Sequence, residues 1–247
     1  MDSKENMPFI DHLDEFRKRF FKVLVAHVIV MLLAFSQSGR ILEKLMELNP
    51  EMNLIFIEPS EIMIVYVQIA IVVAVALCSP FTIYQLWGFV KKGLYEKEKR
   101  LIKIALGLGF VFFILGILFA YTVVVPMSLQ FFTRIAIEGV DPMISVKSYI
   151  SFILSLLLAM GIVFNIPSFV YIATKIGLIT PEKLEEYNKY LIVAIFILAA
   201  ALTPPDVVSQ LMMATPMIIL LRISMVVSKK TYAGMLKEKE KELEGKQ

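Results

Sequence analysis

The chain has 247 residues, of which 58% are hydrophobic and 19% charged, and its mean hydropathy is +0.74. Soluble domains are about 45–50% apolar, so this composition excludes an ordinary soluble protein. The net charge of +3 does not indicate nucleic-acid binding, and a single cysteine implies neither an internal disulfide nor a thiol-ligated metal site. Long unbroken apolar runs favour membrane helices over the short alternating strands of a barrel.

The first 20 residues are polar and carry an apolar stripe. Four apolar residues recur there at helical spacing: Phe9, Leu13, Phe16 and Phe20. This pattern predicts a helix lying in the membrane interface, the alternative being a solvated lead-in to the first span. The charged region before the first span holds Asp11, Asp14 and Glu15 among its basic residues, whereas the corresponding region of a signal peptide is simply basic. We therefore expect the first helix to be retained.

Six apolar runs predict six transmembrane helices in a single integral membrane domain over residues 1–247. The predicted spans cover residues 20–36, 62–88, 104–128, 148–174, 190–203 and 207–227. Prolines 80, 126 and 167 are expected to kink the second, third and fourth spans. The uncharged runs of the last two spans reach only about 22–24 Å, against a hydrocarbon core of about 30 Å, so both spans are predicted to be short.

Two further segments flank these spans. Residues 40–48 have the pattern of a short amphipathic helix that ends before Pro50, and Thr180 followed by Pro181 is a strong helix start. Residues 229–247 form a charged tail, helical or disordered. Placing both termini in the cytoplasm puts 20 of the 25 lysines and arginines on the inner side and four in the two outer loops. The positive-inside rule therefore predicts this orientation.

Motifs of common enzymes are missing from the sequence. It contains no nucleophile elbow, no zinc-protease motif, no phosphate-binding loop and no dinucleotide fingerprint. Two histidines and one cysteine offer little material for metal or nucleophilic catalysis. We predict no enzymatic activity, no catalytic residues, no metal site and no cofactor.

Residues 84–100 form a charged, aromatic connection between the second and third spans. On a helix, Glu96 has three basic neighbours, at positions 92, 99 and 100, whereas Glu98 has only apolar or aromatic ones. A carboxylate without a local cation near a membrane is costly unless a partner neutralises it. Glu98 therefore predicts a cationic partner, either an external one or the nearby Arg17 or Arg19. Glu15 on the same membrane face can pair locally, and together the two carboxylates would favour arginine, which binds bidentately.

Five sequence motifs follow one another along the chain: His12-Leu13-x-Glu15-x-Arg17-x-Arg19, Ser79-Pro80 with Tyr84-Gln85-x-Trp87-x-Phe89, Leu94-Tyr95-x-x-Glu98-x-Arg100, Ala120-Tyr121, and Leu202-Thr203-Pro204-Pro205-Asp206-Val207-x-Ser209-Gln210. In order and spacing, over residues 9–228, they resemble the motifs of the TatC family, the receptor subunit of the twin-arginine protein translocase. The resemblance implies that twin-arginine signal peptides bind at the cytoplasmic face. It assigns five residues to that site: Glu15, Arg17, Arg19, Phe89 and Glu98.

The resemblance also implies the setting in which the chain works. It predicts a kinked, cupped bundle in a bacterial or archaeal cytoplasmic membrane, self-associating and assembling with single-span TatA- or TatB-type subunits. Folded proteins would be exported with the proton-motive force. Four further polar residues become candidates for partner contact or function: Tyr121, Asn165, Asp206 and Gln210. The family usually has glutamate at the position of Asn165 and often a proline near residues 92–93, so this chain departs there.

Each of the four polar candidates also has a simpler interpretation. Asp206 is suited to cap the sixth helix, Gln210 to bond a neighbouring helix of the same chain, and Tyr121 to pack. An alternative function is a secondary transporter or ion carrier whose intramembrane polar path uses Asn165, Asp206 and Gln210. A structural scaffold without a ligand of its own is a third possibility.

Overall fold

Helices make up almost all of the chain that the computed structural model describes, which comprises residues 9–49, 52–90, 96–134, 143–202 and 207–244. In chain order the elements are α1 (Phe9–Phe35), α2 (Ser38–Met46), β1 (Leu54–Ile55), α3 (Glu61–Val90), α4 (Glu96–Phe119), a π-helical segment (Ala120–Val124), α5 (Val125–Arg134), β2 (Ile144–Ser145), α6 (Val146–Val163), α7 (Ile166–Lys175), α8 (Pro181–Glu186), α9 (Asn188–Leu202) and α10 (Val207–Glu244).

Length and hydropathy confirm an all-α polytopic membrane protein. Four described segments are long and apolar enough to cross a bilayer: Glu61–Leu86, Leu106–Phe131, Val146–Lys175 and Val207–Lys237. The pair α1 and α2, bent by 66°, forms a fifth candidate, and the 15-residue α9 is a shorter apolar helix. An apolar helix therefore lies at each of the six predicted positions.

Two helices extend further than the sequence pattern indicated. α1 runs unbroken for 27 residues, so the predicted interfacial segment is the first part of the helix that continues into the first span. No proline or glycine occurs within it to end it. α10 has 38 residues and passes through Arg222, so the sixth helix is not short. A single arginine can extend its side chain to the membrane boundary without interrupting the helix.

The three intramembrane prolines have different local consequences. Pro80 lies inside α3, which continues to Val90. Pro126 follows the π-helical segment Ala120–Val124, where the wider hydrogen-bonding ring accommodates the missing proline N–H. Pro167 occupies the first turn of α7, directly after the break that separates α6 from α7 at residues 164–165, a position where proline is tolerated.

A short sheet, which the sequence did not predict, joins two loops at the end of the bundle opposite the start of α1. β1 and β2 pair in parallel, with Leu54 opposite Ile144 and Ile55 opposite Ser145. Ser145 also caps α6, because its Oγ accepts a hydrogen bond from the backbone N–H of Ser148 at 3.1 Å. The pairing ties the loop before α3 to the start of α6.

The core of the bundle is built around α6. Its fully buried residues include Ile150, Ile153, Leu156 and Met160, which pack in one cluster with residues of α3, α5, α9 and α10. α4 and α6 approach each other closely: a Cβ added at Gly116 would overlap the backbone carbonyl of Met160. α6 is therefore held between neighbours on several sides, while α1 packs chiefly on α3.

Candidate functional site

A part-buried ion pair within α1 is hydrogen-bonded to α3 near the end of that helix. The Nε and one terminal nitrogen of Arg19 donate to the same oxygen, Oε1 of Glu15, at 2.9 and 2.7 Å. The other terminal nitrogen donates to Oε1 of Gln85 at 3.1 Å. The Glu15 and Arg19 side chains are 14% and 23% exposed. The Arg19 guanidinium therefore holds Glu15 in a fixed position and joins two helices through polar contacts.

The surroundings of this ion pair explain how a guanidinium fits between the helices. A Cβ added at Gly88 would overlap the guanidinium of Arg19, so the glycine allows the α3 backbone to approach it. Phe16 and the half-buried Phe89 meet edge to face, with ring centroids 5.6 Å apart. We call Glu15, Arg19, Gln85, Gly88 and Phe89 the Arg19 cluster.

The structure brings three of the five predicted signal-peptide residues together, namely Glu15, Arg19 and Phe89. Arg17 is exposed, as expected two positions away from Arg19 on a helix. Glu98 lies in the first turn of α4, but its side chain falls outside the described residues. Local pairing of Glu15 with Arg19, one of the two alternatives for that carboxylate, is the arrangement found.

The other polar candidates form contacts within the chain. Asn165 donates from Nδ2 to the Gly161 carbonyl at 2.8 Å, and its Oδ1 would lie 2.9 Å from a Cβ added at Gly109. Gln210 donates from Nε2 to the Phe196 carbonyl at 3.0 Å, which is the internal helix–helix bond of the simpler interpretation. The exposed Tyr121 lies in the π-helical segment. Asp206 falls outside the described residues.

Two polar contacts were not singled out from the sequence. Gln85 was part of a quoted motif without a role, yet it receives a hydrogen bond from Arg19. Gln68 in α3 accepts a hydrogen bond from Ser151 in α6 at 3.0 Å. Among the residues the structure describes, no group of three or more His, Cys, Asp or Glu side chains could hold a metal ion.

At the start of α8, the structure has the helix cap that the sequence predicts. Thr180 caps α8 as predicted, accepting a hydrogen bond from the Lys183 N–H at 3.4 Å, and Pro181 is its first residue. The pKa of Glu182 in that first turn is lowered by the hydrogen bond from its own backbone N–H, by the Thr180 side chain and by the charge of Lys229. Lys229 also pairs with Glu185, which connects α10 to α8.

Fold and site together define a polytopic membrane protein that presents a part-buried carboxylate–guanidinium cluster near one end of its bundle. The family model described as Sec-independent protein translocase protein (TatC) matches residues 11–216. The chain is 37% identical over 230 residues to the Sec-independent protein translocase protein TatC of Aquifex aeolicus, covering 90% of this chain and 95% of that protein. The corresponding TatCy of Bacillus subtilis is 31% identical over 229 residues, covering 92% and 90%.

Comparison with solved structures points to the same family. A crystal structure titled as the twin arginine translocase receptor TatC superposes with a TM-score of 0.80 at 36% identity, covering 89% of this chain and 99% of that one. The chain belongs to the TatC family. It is a multi-pass membrane component of a protein translocase and not an enzyme.

Proposed function

We propose that this chain is the receptor for twin-arginine signal peptides, and that the Arg19 cluster is part of the binding surface. The observation that carries the proposal is the position of Glu15: a carboxylate 14% exposed, held by Arg19 beside the aromatic pair Phe16 and Phe89. A signal peptide supplies both matching chemistries, with guanidinium groups for carboxylates and an apolar stretch for aromatic rings.

Binding would proceed by exchange of guanidinium groups. Arg19 occupies Oε1 of Glu15, and a carboxylate has about four lone-pair positions on its two oxygens, so an incoming arginine can share or replace that contact. Glu98, in the first turn of α4, would supply a second carboxylate for the second arginine. Arginine is preferred over lysine because its planar fork makes two parallel hydrogen bonds to a carboxylate.

We infer the wider setting from the same resemblance and from the charge distribution. Both termini would face the cytoplasm of a bacterial or archaeal cytoplasmic membrane, because the basic residues concentrate on that side. Single-span TatA- or TatB-type subunits and further copies of this chain would complete the translocase, and the proton-motive force would drive export. Asn165, Tyr121, Asp206 and Gln210 are proposed contributors to those helix contacts.

The proposal is tested by charge reversal at Glu98 with a matched neighbour. Glu98→Lys is expected to abolish export of a twin-arginine substrate, while Glu96→Lys, at a carboxylate with its own basic neighbours, retains most of it. Export is measured by fractionation of substrate, and membrane levels of each variant by immunoblot. Normal export by Glu98→Lys at normal protein levels would refute the assignment of this residue to the site.

A further inference from the structure

A cleft opens between α3 and α4 beside Arg19, with a volume of about 410 Å³. Six of its lining residues define what we call the α3/α4 cleft: Arg19, Ile83, Gly88, Lys103, Leu106 and Gly107. Among the residues that the structure describes, the charged ones lining the cleft are Arg19 and Lys103, both cations.

The cleft lies at the level where two membrane spans end. The apolar segment of α3 extends to Leu86, and that of the α4 span begins at Leu106. Lys103 is exposed and lies one helical turn beyond Leu106 toward the start of α4. Pro80 and Ile83 line the cleft on the opposite side, within the apolar segment of α3. The cleft is thus cationic toward the membrane boundary and apolar toward the membrane interior.

Glycine keeps the cleft open on the α4 side. A Cβ added at Gly107 would meet no heavy atom within 4 Å, so the space beside it is unfilled by the described protein atoms. Tyr84, which is 67% exposed, lies at the rim. An amphipathic ligand with an anionic head and a hydrocarbon chain fits this arrangement, because each half meets the environment that it requires.

We propose that the α3/α4 cleft binds an anionic phospholipid, with its phosphate group on Lys103 and Arg19 and its acyl chain along Ile83 and Leu106. Arginine and lysine are the side chains that recognise phosphate most often, and each basic residue near a membrane surface strengthens attraction to anionic lipid about fivefold. Arg19 can contribute while it is paired, since its two contacts to Glu15 and two to Gln85 leave one of its five N–H donors for a phosphate oxygen. The cleft shares Arg19 and Gly88 with the Arg19 cluster, whereas Lys103, Leu106 and Gly107 lie outside that cluster and are specific to the lipid site.

The test uses the full chain, purified in a non-ionic detergent, with native mass spectrometry to count bound phosphatidylglycerol. Gly107→Leu fills the cleft without a clash, and Gly234→Leu is its matched control, because a Cβ at Gly234 also meets nothing within 4 Å. Lys103→Gln removes a cation, with the exposed Lys230→Gln as control. We expect Gly107→Leu to lose the retained lipid and Lys103→Gln to bind it about fivefold more weakly, with both controls unchanged.

Two further arms identify the source of the phosphate. Phosphatidylcholine carries a phosphate with a compensating cation and is expected to be retained less than phosphatidylglycerol. Inorganic phosphate at millimolar concentration is expected not to displace phosphatidylglycerol, because it has no acyl chain to occupy the apolar half. Equal retention of the two lipids, displacement by inorganic phosphate, or undiminished retention in both Gly107→Leu and Lys103→Gln would overturn the proposal. The result does not depend on whether signal peptides bind.

Discussion

Arg19 contacts a single oxygen of Glu15 through two of its nitrogens, at 2.9 and 2.7 Å, within one turn of α1. The same guanidinium reaches Gln85 on α3 at 3.1 Å. One side chain thus orients the candidate receptor carboxylate and fastens the first helix to the second span. Both functions depend on the shape of the guanidinium as well as on its charge.

Replacing Arg19 by lysine should therefore weaken the fold although the charge is kept. An ammonium group cannot bond Glu15 through two nitrogens and Gln85 through a third. We expect a loss of about 1 kcal/mol, the typical net contribution of one hydrogen bond, seen as a lower thermal unfolding midpoint in detergent. Arg17→Lys, at the exposed position two residues away, should leave the midpoint unchanged. Equal midpoints for Arg19→Lys and wild type would show that the geometry of the pair contributes nothing.

Gly88→Ala should disturb the Arg19 cluster while leaving the bundle folded. The added Cβ would overlap the guanidinium of Arg19, which lies at the far end of a flexible side chain and can move away. The bond to Gln85 would then be lost and Glu15 would lose its orientation. Signal-peptide binding is expected to weaken several-fold in a fluorescence titration, with Gly234→Ala as the control. Wild-type affinity in Gly88→Ala would contradict the role of Arg19 in positioning Glu15.

Gly116→Ala should destabilise the bundle itself. Its Cβ would overlap the backbone carbonyl of Met160 in α6, and backbone in a packed core cannot shift without cost, so a loss of about 1–3 kcal/mol is expected. Gly107→Ala, on the same helix with open space around it, serves as control. Unfolding can be followed with a thiol-reactive dye on the buried Cys78, the single cysteine of the chain. A Gly116→Ala protein as stable as the control would refute this close approach.

The pKa of Glu182 gives a prediction for low pH at the α8 surface. Because its pKa in the folded protein lies below the ordinary value of 4.5, its contribution to stability is complete above that value. The contribution disappears as the pH falls through the lowered pKa. Hydrogen exchange at the start of α8 should accelerate over that window. In Thr180→Val, which removes one cause of the shift, the pKa of Glu182 measured by carbon NMR should move back toward 4.5; an unchanged value would exclude the cap as a cause.

The membrane architecture could be predicted from the sequence because it depends on runs of apolar residues and on prolines. The Thr180 cap was predictable for the same local reason. The short pairing of Leu54–Ile55 with Ile144–Ser145 was not, because two-residue strands carry no periodicity and join segments about 90 residues apart. The length of α10 was underestimated because the uncharged run, which ends before Arg222, is a poor measure of helix length.

The candidate site could be predicted in part. The pairing of Glu15 with Arg19 follows from their spacing of four residues on a helix. The participation of Gln85 and Gly88 does not, because it depends on how α1 crosses α3. Gln210 was assigned two possible partners, and its bond to the Phe196 carbonyl required the packing of α9 against α10. Sequence spacing identifies which charged residues have a partner on their own helix. Which residues of other helices they contact depends on where the helices cross.

The most direct test of the receptor function is the binding of a fluorescent twin-arginine signal peptide to the purified chain in detergent, compared with the same peptide carrying two lysines. If carboxylates receive the arginines bidentately, the arginine peptide binds and the lysine peptide binds at least about tenfold more weakly, since losing one charge-assisted hydrogen bond costs roughly 1.5–3 kcal/mol. Equal affinity for the two peptides, or no binding of either, would contradict the proposed receptor function.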